Sequence, residues 1–172
     1  MGATLNGVLE ADAALTVVDT VVDSIQEDTV NNTQVATASL VLTGGTVADV
    51  FTVAGGPVLL LGLFTHITTA VSNNACNMQW ESDPTSGASN TDLCGDLAIA
   101  QAAIGDVFYI TGASADAQVK AANATAVALS CTAPVFLLPG GVDAVLQNSD
   151  PTTGAATVYL VYKPLVSGAT VT

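Results

Sequence analysis

The chain has 172 residues, half of them apolar and only 5% aromatic, with two lysines and no arginine against fifteen carboxylates. That length accommodates one domain with a core of its own and falls below the usual size for two. A formal net charge of −13 excludes electrostatic attraction to nucleic-acid phosphate or to an anionic membrane, and it leaves stability to burial and backbone hydrogen bonds rather than to salt bridges.

So acidic a shell suits a high-salt setting, a Ca²⁺-rich one, or a coat over a body with positive patches. The N-terminal MGATLNGVLEADAAL has no basic region and no apolar stretch of useful length, so the expectation is synthesis in the cytosol without a cleaved signal. The longest nearly apolar run, Val58 to Phe64, is too short to span a bilayer as a helix.

Residues 1–35 read as an N-terminal arm and residues 36–172 as the folded domain. Within the arm, Leu15, Val18, Val22 and Ile25 recur at spacings of three and four, with Asp19, Asp23, Glu27 and Asp28 off that line. This pattern predicts a short amphipathic helix, suited to anchoring or to a brief coiled-coil seam where several chains meet. The alternative is a helix docked on its own domain or a mobile tail. Residues 31–46 read as a polar hinge followed by a short strand and a Gly44-Gly45 turn.

The densest apolar run follows, VADVFTVAGGPVLLLGLFTHITTAV (47–71). Gly55, Gly56 and Pro57 divide it, since Gly accepts the positive φ of a tight turn and Pro gives nothing to a ladder. In the second half, period 2 places Leu59, Leu61, Leu63, Ile67 and Val71 on one face and Leu60, Phe64 and His66 on the other. Both faces are apolar at first, so the segment reads as a central strand covered on both sides. Gly62 and the three threonines argue against a buried helix.

Downstream the strands are shorter. CNMQWE alternates, with Cys76, Met78 and Trp80 inward. SDPTSGASNTD reads as a polar loop in which Pro84 and Gly87 oppose regular structure, and LCGDLAIAQAA reads equally as helix or strand. VFYITG, TAVALSC, VFLLPGG, VDAVLQNSD and TVYLVYKPL are strand candidates, and ASADAQVKAANAT is a loop or a single weak helical turn. Eight to ten short strands with turn signals every ten to fifteen residues, and no βαβ rhythm, predict a mainly β fold: a sandwich, with a barrel the lesser option.

Reactive constellations are sparse. His66 is the single imidazole and stands inside a strand, where a hydrogen-bonded surface residue or a subunit contact is the plain reading. A catalytic role would need acids converging on it, and a metal centre would need copies around a threefold axis. Cys76, Cys94 and Cys131 read as free buried thiols, with a Cys76–Cys94 bridge as the alternative. Several aspartates (Asp83, Asp92, Asp96, Asp106, Asp143, Asp150) fall in predicted turns, where they cap backbone N–H groups. Asp83, Asn90 and Asp92 lie close enough in sequence to suggest Ca²⁺, without EF-hand spacing. No other cofactor is expected, and the chain reads as an assembly component rather than an enzyme.

The runs DVFTVAGGPVLLLGLFTHITTAV, DPTSGASNTDLCG, AAIGDVFYITG and ATVYLVYKPLVSGATV, with the arm TVVDTVVDSIQEDT, together resemble small structural proteins of tailed bacteriophages. The resemblance covers most of residues 10–172. It implies a jelly-roll-like β-sandwich and a virion component, made in the host cytoplasm and placed on the capsid surface. The function it implies is head decoration or cement, binding the seams of the major capsid protein and stabilising the head. Proteins of that kind commonly form trimers. A receptor-binding spike or fibre component is the alternative, and a small hydrolase the remoter one. No nucleic-acid or membrane partner is implied. On this reading the contacts between subunits fall on Leu15, Val18, Val22 and Ile25 of the arm and on Leu60, Phe64 and His66 of the domain. A fibre tip would instead present an aromatic or acidic pocket built from loops such as 83–92.

Overall fold

The computed structural model describes residues 32–45, 47–87, 89–122 and 133–172. Wherever apolar and polar residues alternate over a long stretch, the chain is extended, because period 2 sends every second side chain to one face. The strands are β1 (Gln34–Val41), β2 (Val47–Ala54), β3 (Val58–Thr69), β4 (Cys76–Pro84), β5 (Thr91–Asp92), β6 (Leu97–Ala98), β7 (Val107–Tyr109), β8 (Val119–Ala121), β9 (Val135–Leu137), β10 (Gly140–Asn148), β11 (Ala155–Pro164) and β12 (Thr170–Val171). Residues from Gln34 onward gather into one compact unit.

Two antiparallel sheets pack as a sandwich. One, the β3 sheet, runs β1-β11-β3-β7-β8, with β9 paired to the start of β3; the other, the β4 sheet, runs β12-β2-β10-β4-β5, with β6 also paired to β4. Facing inner residues fill the space between them. Trp80, Met78, Phe51, Val142 and Ala144 of the β4 sheet and Leu60, Leu63, Ile67, Phe108, Val158 and Leu160 of the β3 sheet are all buried to within 1%. Burying side chains of this size contributes about 1.5–3 kcal/mol each, which offsets the chain entropy of a protein with few charge pairs. Tyr162 ties the layers at one end. Its hydroxyl donates to Gln34 Oε1 (2.6 Å) on β1 and accepts the N–H of Val171 (3.2 Å) on β12.

The turn at Gly55-Gly56 stands where the sequence predicts it. Gly55 has φ +74°, and a Cβ there would run into the backbone carbonyl of Gly168, so no other residue fits where these two segments cross.

Several expectations are corrected. Strict alternation along 58–71 fails because β3 carries a bulge. Its register with β11 shifts between Val161 and Tyr162, which face Gly62 and Leu60. One extra residue switches the face of everything after it. Val58 and Leu60 therefore point inward together with Leu63 and Ile67, while Leu59, Leu61, Phe64 and His66 point outward. Nor is β3 covered on both sides, since its outward residues are only half-buried. Pro84 ends β4 rather than lying in a loop, and β5 follows within the predicted loop. The undecided segment after Leu93 carries β6, and the expected loop at 113–125 carries β8. Strands of two or three residues are too short for periodicity to reveal. They exist because β4 and β7 offer them an edge. Asp83, Asp92 and Asp143 lie in strands rather than turns. The arm helix and the TAVALSC strand lie outside the described residues.

Candidate functional site

The outer face of the β3 sheet is built from neighbouring rows. One row crosses five strands as Thr37, Tyr159, Phe64, Tyr109 and Val119; the next holds Ser39, Thr157, His66 and Val107. A third places Val35 beside Val161 and Gly62. Phe64 and Tyr109 meet with ring centroids 6.3 Å apart and tilted by 32°, a separation at which aromatic pairs attract. The Phe64 ring also leans back over Gly62, and a Cβ on Gly62 would meet ring carbons at 2.6 and 2.9 Å. The glycine thus makes room for an aromatic platform in mid-strand.

Large apolar side chains stay open to solvent on this sheet. Val35, Val41, Phe136 and Tyr159 are between 37% and 59% exposed. The β3 sheet's strands contain no carboxylate, and they carry both lysines and the single histidine. Lys120 is engaged. Its Nζ pairs with Asp106 Oδ2 at 2.9 Å and lies 5.8 Å from the centre of the Phe108 ring. Asp106 Oδ2 also accepts the N–H of Ala103 at 2.8 Å. Lys163 stands in register with Leu59, and Leu59 with Phe136.

The β4 sheet presents the opposite surface. Asp143, Glu81 and Asp92 lie side by side across β10, β4 and β5, with Asp83 and Asp49 on the same strands. Asp143 Oδ1 accepts the N–H of Asp49 (2.7 Å), where β2 bulges and Asp49 adopts φ +51°. Amides bridge part of this face. Gln147 Nε2 donates to Gln79 Oε1 (3.1 Å), and Gln79 Nε2 donates to Asp92 Oδ1 (3.0 Å). Among the described residues, no group of three or more His, Cys, Asp or Glu is arranged to hold a metal ion.

A cleft of about 330 Å³ opens where β4 and β5 approach β9, lined by Ser82, Pro84, Thr91 and Asp92 on one side and by Val135–Leu138 on the other. Cys76 and Cys94 are free and buried. Cys94 Sγ accepts the N–H of Trp80 at 3.3 Å, and burial pushes its thiol from 9.0 up to about 11. Burial raises Cys76 as well. Neither is a ready nucleophile, since the thiolate is the reactive form.

The predicted contact residues separate. Phe64 and His66 share the outer face of the β3 sheet, but Leu60 is 0% exposed and belongs to the core, because the bulge lies between them. Leu15, Val18, Val22, Ile25 and Cys131 lie outside the described residues. Sequence reasoning missed Tyr109, Tyr159, Val161 and Val35 as companions of Phe64. Period 2 had put Tyr159 and Val161 on a common face, but only the pairing brings them beside β3. Comparison with known proteins gives no matching family model, no matching curated protein and no matching solved structure.

Proposed function

We propose that the chain is a structural component of a tailed-phage particle, a capsid decoration or cement protein, which applies the outer face of its β3 sheet to the shell. The observation that carries this reading is that face itself. In a chain of net charge −13, it is apolar, bears aromatic rings and has no carboxylate on its strands. A half-exposed apolar sheet face rimmed by polar residues is the usual mark of a protein contact. The acidic β4 face, turned the other way, would keep decorated particles apart by charge.

The strand order supports a jelly roll. Strands β1 to β4 and β9 to β12 alternate between layers, with β1, β3, β7 and β11 in the order β1-β11-β3-β7 and β2, β4, β5 and β10 in the order β2-β10-β4-β5. In each sheet the late strand returns between two early ones, which is the nesting expected of paired Greek keys. Jelly rolls also serve lectins and cupins, so the fold alone leaves the function open and the support for this reading comes from the face.

The test is the copy number of the protein in purified particles relative to the major capsid protein, for the native chain and for Phe64→Glu. Lattice-wide stoichiometry that falls with Phe64→Glu, while the free protein keeps its melting temperature, is the expected result. Absence from particles, or unchanged incorporation of the variant, overturns the reading.

One observation favours the spike or fibre alternative. The cleft beside loop 83–92 combines a carboxylate, Asp92, with an exposed aromatic residue, Phe136. On that alternative Asp92→Asn lowers adsorption to host cells and leaves particle incorporation unchanged.

A further inference from the structure

Sheet edges carry unpaired N–H and C=O groups, and proteins protect them by keeping edge strands short or by adding charge, proline or a bulge. Most edges here follow that rule. β5, β6 and β12 have two residues each, and β8 has three. β1 does not. It is eight residues long, QVATASLV, with no charged residue, proline or glycine. Its pairing with β11 runs from Gln34 to Val41 without a register shift. Among the described residues no strand occupies its other side. At about 3.3 Å per residue this is an edge of roughly 26 Å.

We infer that β1 pairs antiparallel with β1 of a second copy of this chain, about a twofold axis at Ala38. Three features bear on this pairing and its register. The first is parity. Facing residues in a sheet share a face, so Val35, Thr37, Ser39 and Val41 can oppose only one another, which leaves twofolds centred on residues rather than between them.

The second feature chooses among these centres. Centred on Ala38, Val35 meets Val41 of the second copy and Thr37 meets its Ser39, twice over by symmetry. Val35 and Val41 are each 59% exposed, and this register covers all four. Centring on Thr37 or on Ser39 sets valines against hydroxyl side chains instead. β-branched pairs and Thr–Ser pairs are favourable across strands.

The third feature is charge. Two copies of net charge −13 repel, and the strands of the β3 sheet are the ones without carboxylates. An approach along β1 therefore brings together the least acidic parts of both chains. The contact is isologous and closes. It joins two six-stranded sheets into one and makes their apolar outer faces continuous.

The experiment measures the mass of the full-length chain in solution by sedimentation, for three proteins. The native chain is expected to be a dimer. Val35→Glu with Val41→Glu sets a carboxylate against a carboxylate at both positions, and is expected to give a folded monomer. Val35→Glu with Val41→Lys sets opposite charges across the same register, and is expected to restore the dimer. Circular dichroism and melting of each variant establish that the protomer is intact, which the exposure of both valines favours. A native chain that is monomeric, as when the edge is kept for a different protein, overturns the inference. So does a trimeric native chain, or a Glu–Glu variant that keeps the native mass.

Discussion

The two outer faces of the sandwich are made by the same backbone rule and carry opposite chemistry. On the strands of the β4 sheet stand Asp49, Glu81, Asp83, Asp92 and Asp143, with no basic residue. On those of the β3 sheet stand Lys163 and His66, with Lys120 in the inward row beside Phe108, and no acid. Like charges set directly across strands destabilise a sheet, so the row Asp143, Glu81, Asp92 costs stability that a mixed distribution would avoid. Among the strand residues, the acids are confined to one layer. The difference teaches that the charge of this protein is best understood by sheet rather than as a sum over the chain.

The comparison can be tested within each layer. The largest expected effect lies beneath the acidic sheet, at Cys94. Its thiol has an ordinary value of 9.0 and rises to about 11 in the fold. The unfolded chain therefore ionises first as pH increases. The stabilisation is fully present below pH 9 and is lost as pH rises to about 11, a loss of up to roughly 2–3 kcal/mol. Denaturant unfolding across that range, with Cys94→Ala as the control that removes this contribution, checks it. A native thiol that reacts rapidly with an alkylating reagent at pH 8 would contradict the burial on which it rests.

A smaller effect is expected at the rim of the β3 sheet. Lys120→Met keeps the aliphatic stem over Phe108 and removes one charge partner of Asp106, whose side chain is 4% exposed. A buried carboxylate left with one charge partner fewer costs about 1–3 kcal/mol. Adding Asp106→Asn to it should recover part of that loss, and thermal melting of both variants reads the result.

The smallest effect sharpens the contrast most directly. Glu81→Gln removes the middle charge of the acidic row and should stabilise the protein by about 0.2–1 kcal/mol at low ionic strength. The gain should shrink as salt screens the neighbours. A loss of stability, or a gain unaffected by salt, would show that the row is not governed by repulsion.

Much of the fold was legible in the chain itself. Cys76, Met78 and Trp80, like Val142, Ala144 and Leu146 and like Val158, Leu160 and Tyr162, alternate with polar or half-exposed neighbours and are buried as that pattern requires. The turns at Gly44-Gly45 and Gly55-Gly56 announce themselves through residues that accept positive φ. The two-sheet sandwich follows from many short strands without helices between them. Strand length and turn chemistry are local properties, and local sequence determines them.

The surface that matters was decided elsewhere. Leu60 and Phe64 are an even number of residues apart, and only the bulge opposite Val161 and Tyr162 separates them into core and surface. Phe64 meets Tyr109, and Thr37 lies beside Tyr159, because β7 and β1 pair where they do. Five carboxylates scattered from residue 49 to residue 143 become one face only once β2, β10, β4 and β5 lie side by side. Register and strand order arise from contacts between residues far apart in the chain, whose energies are settled by mutual packing in three dimensions. No local pattern contains them.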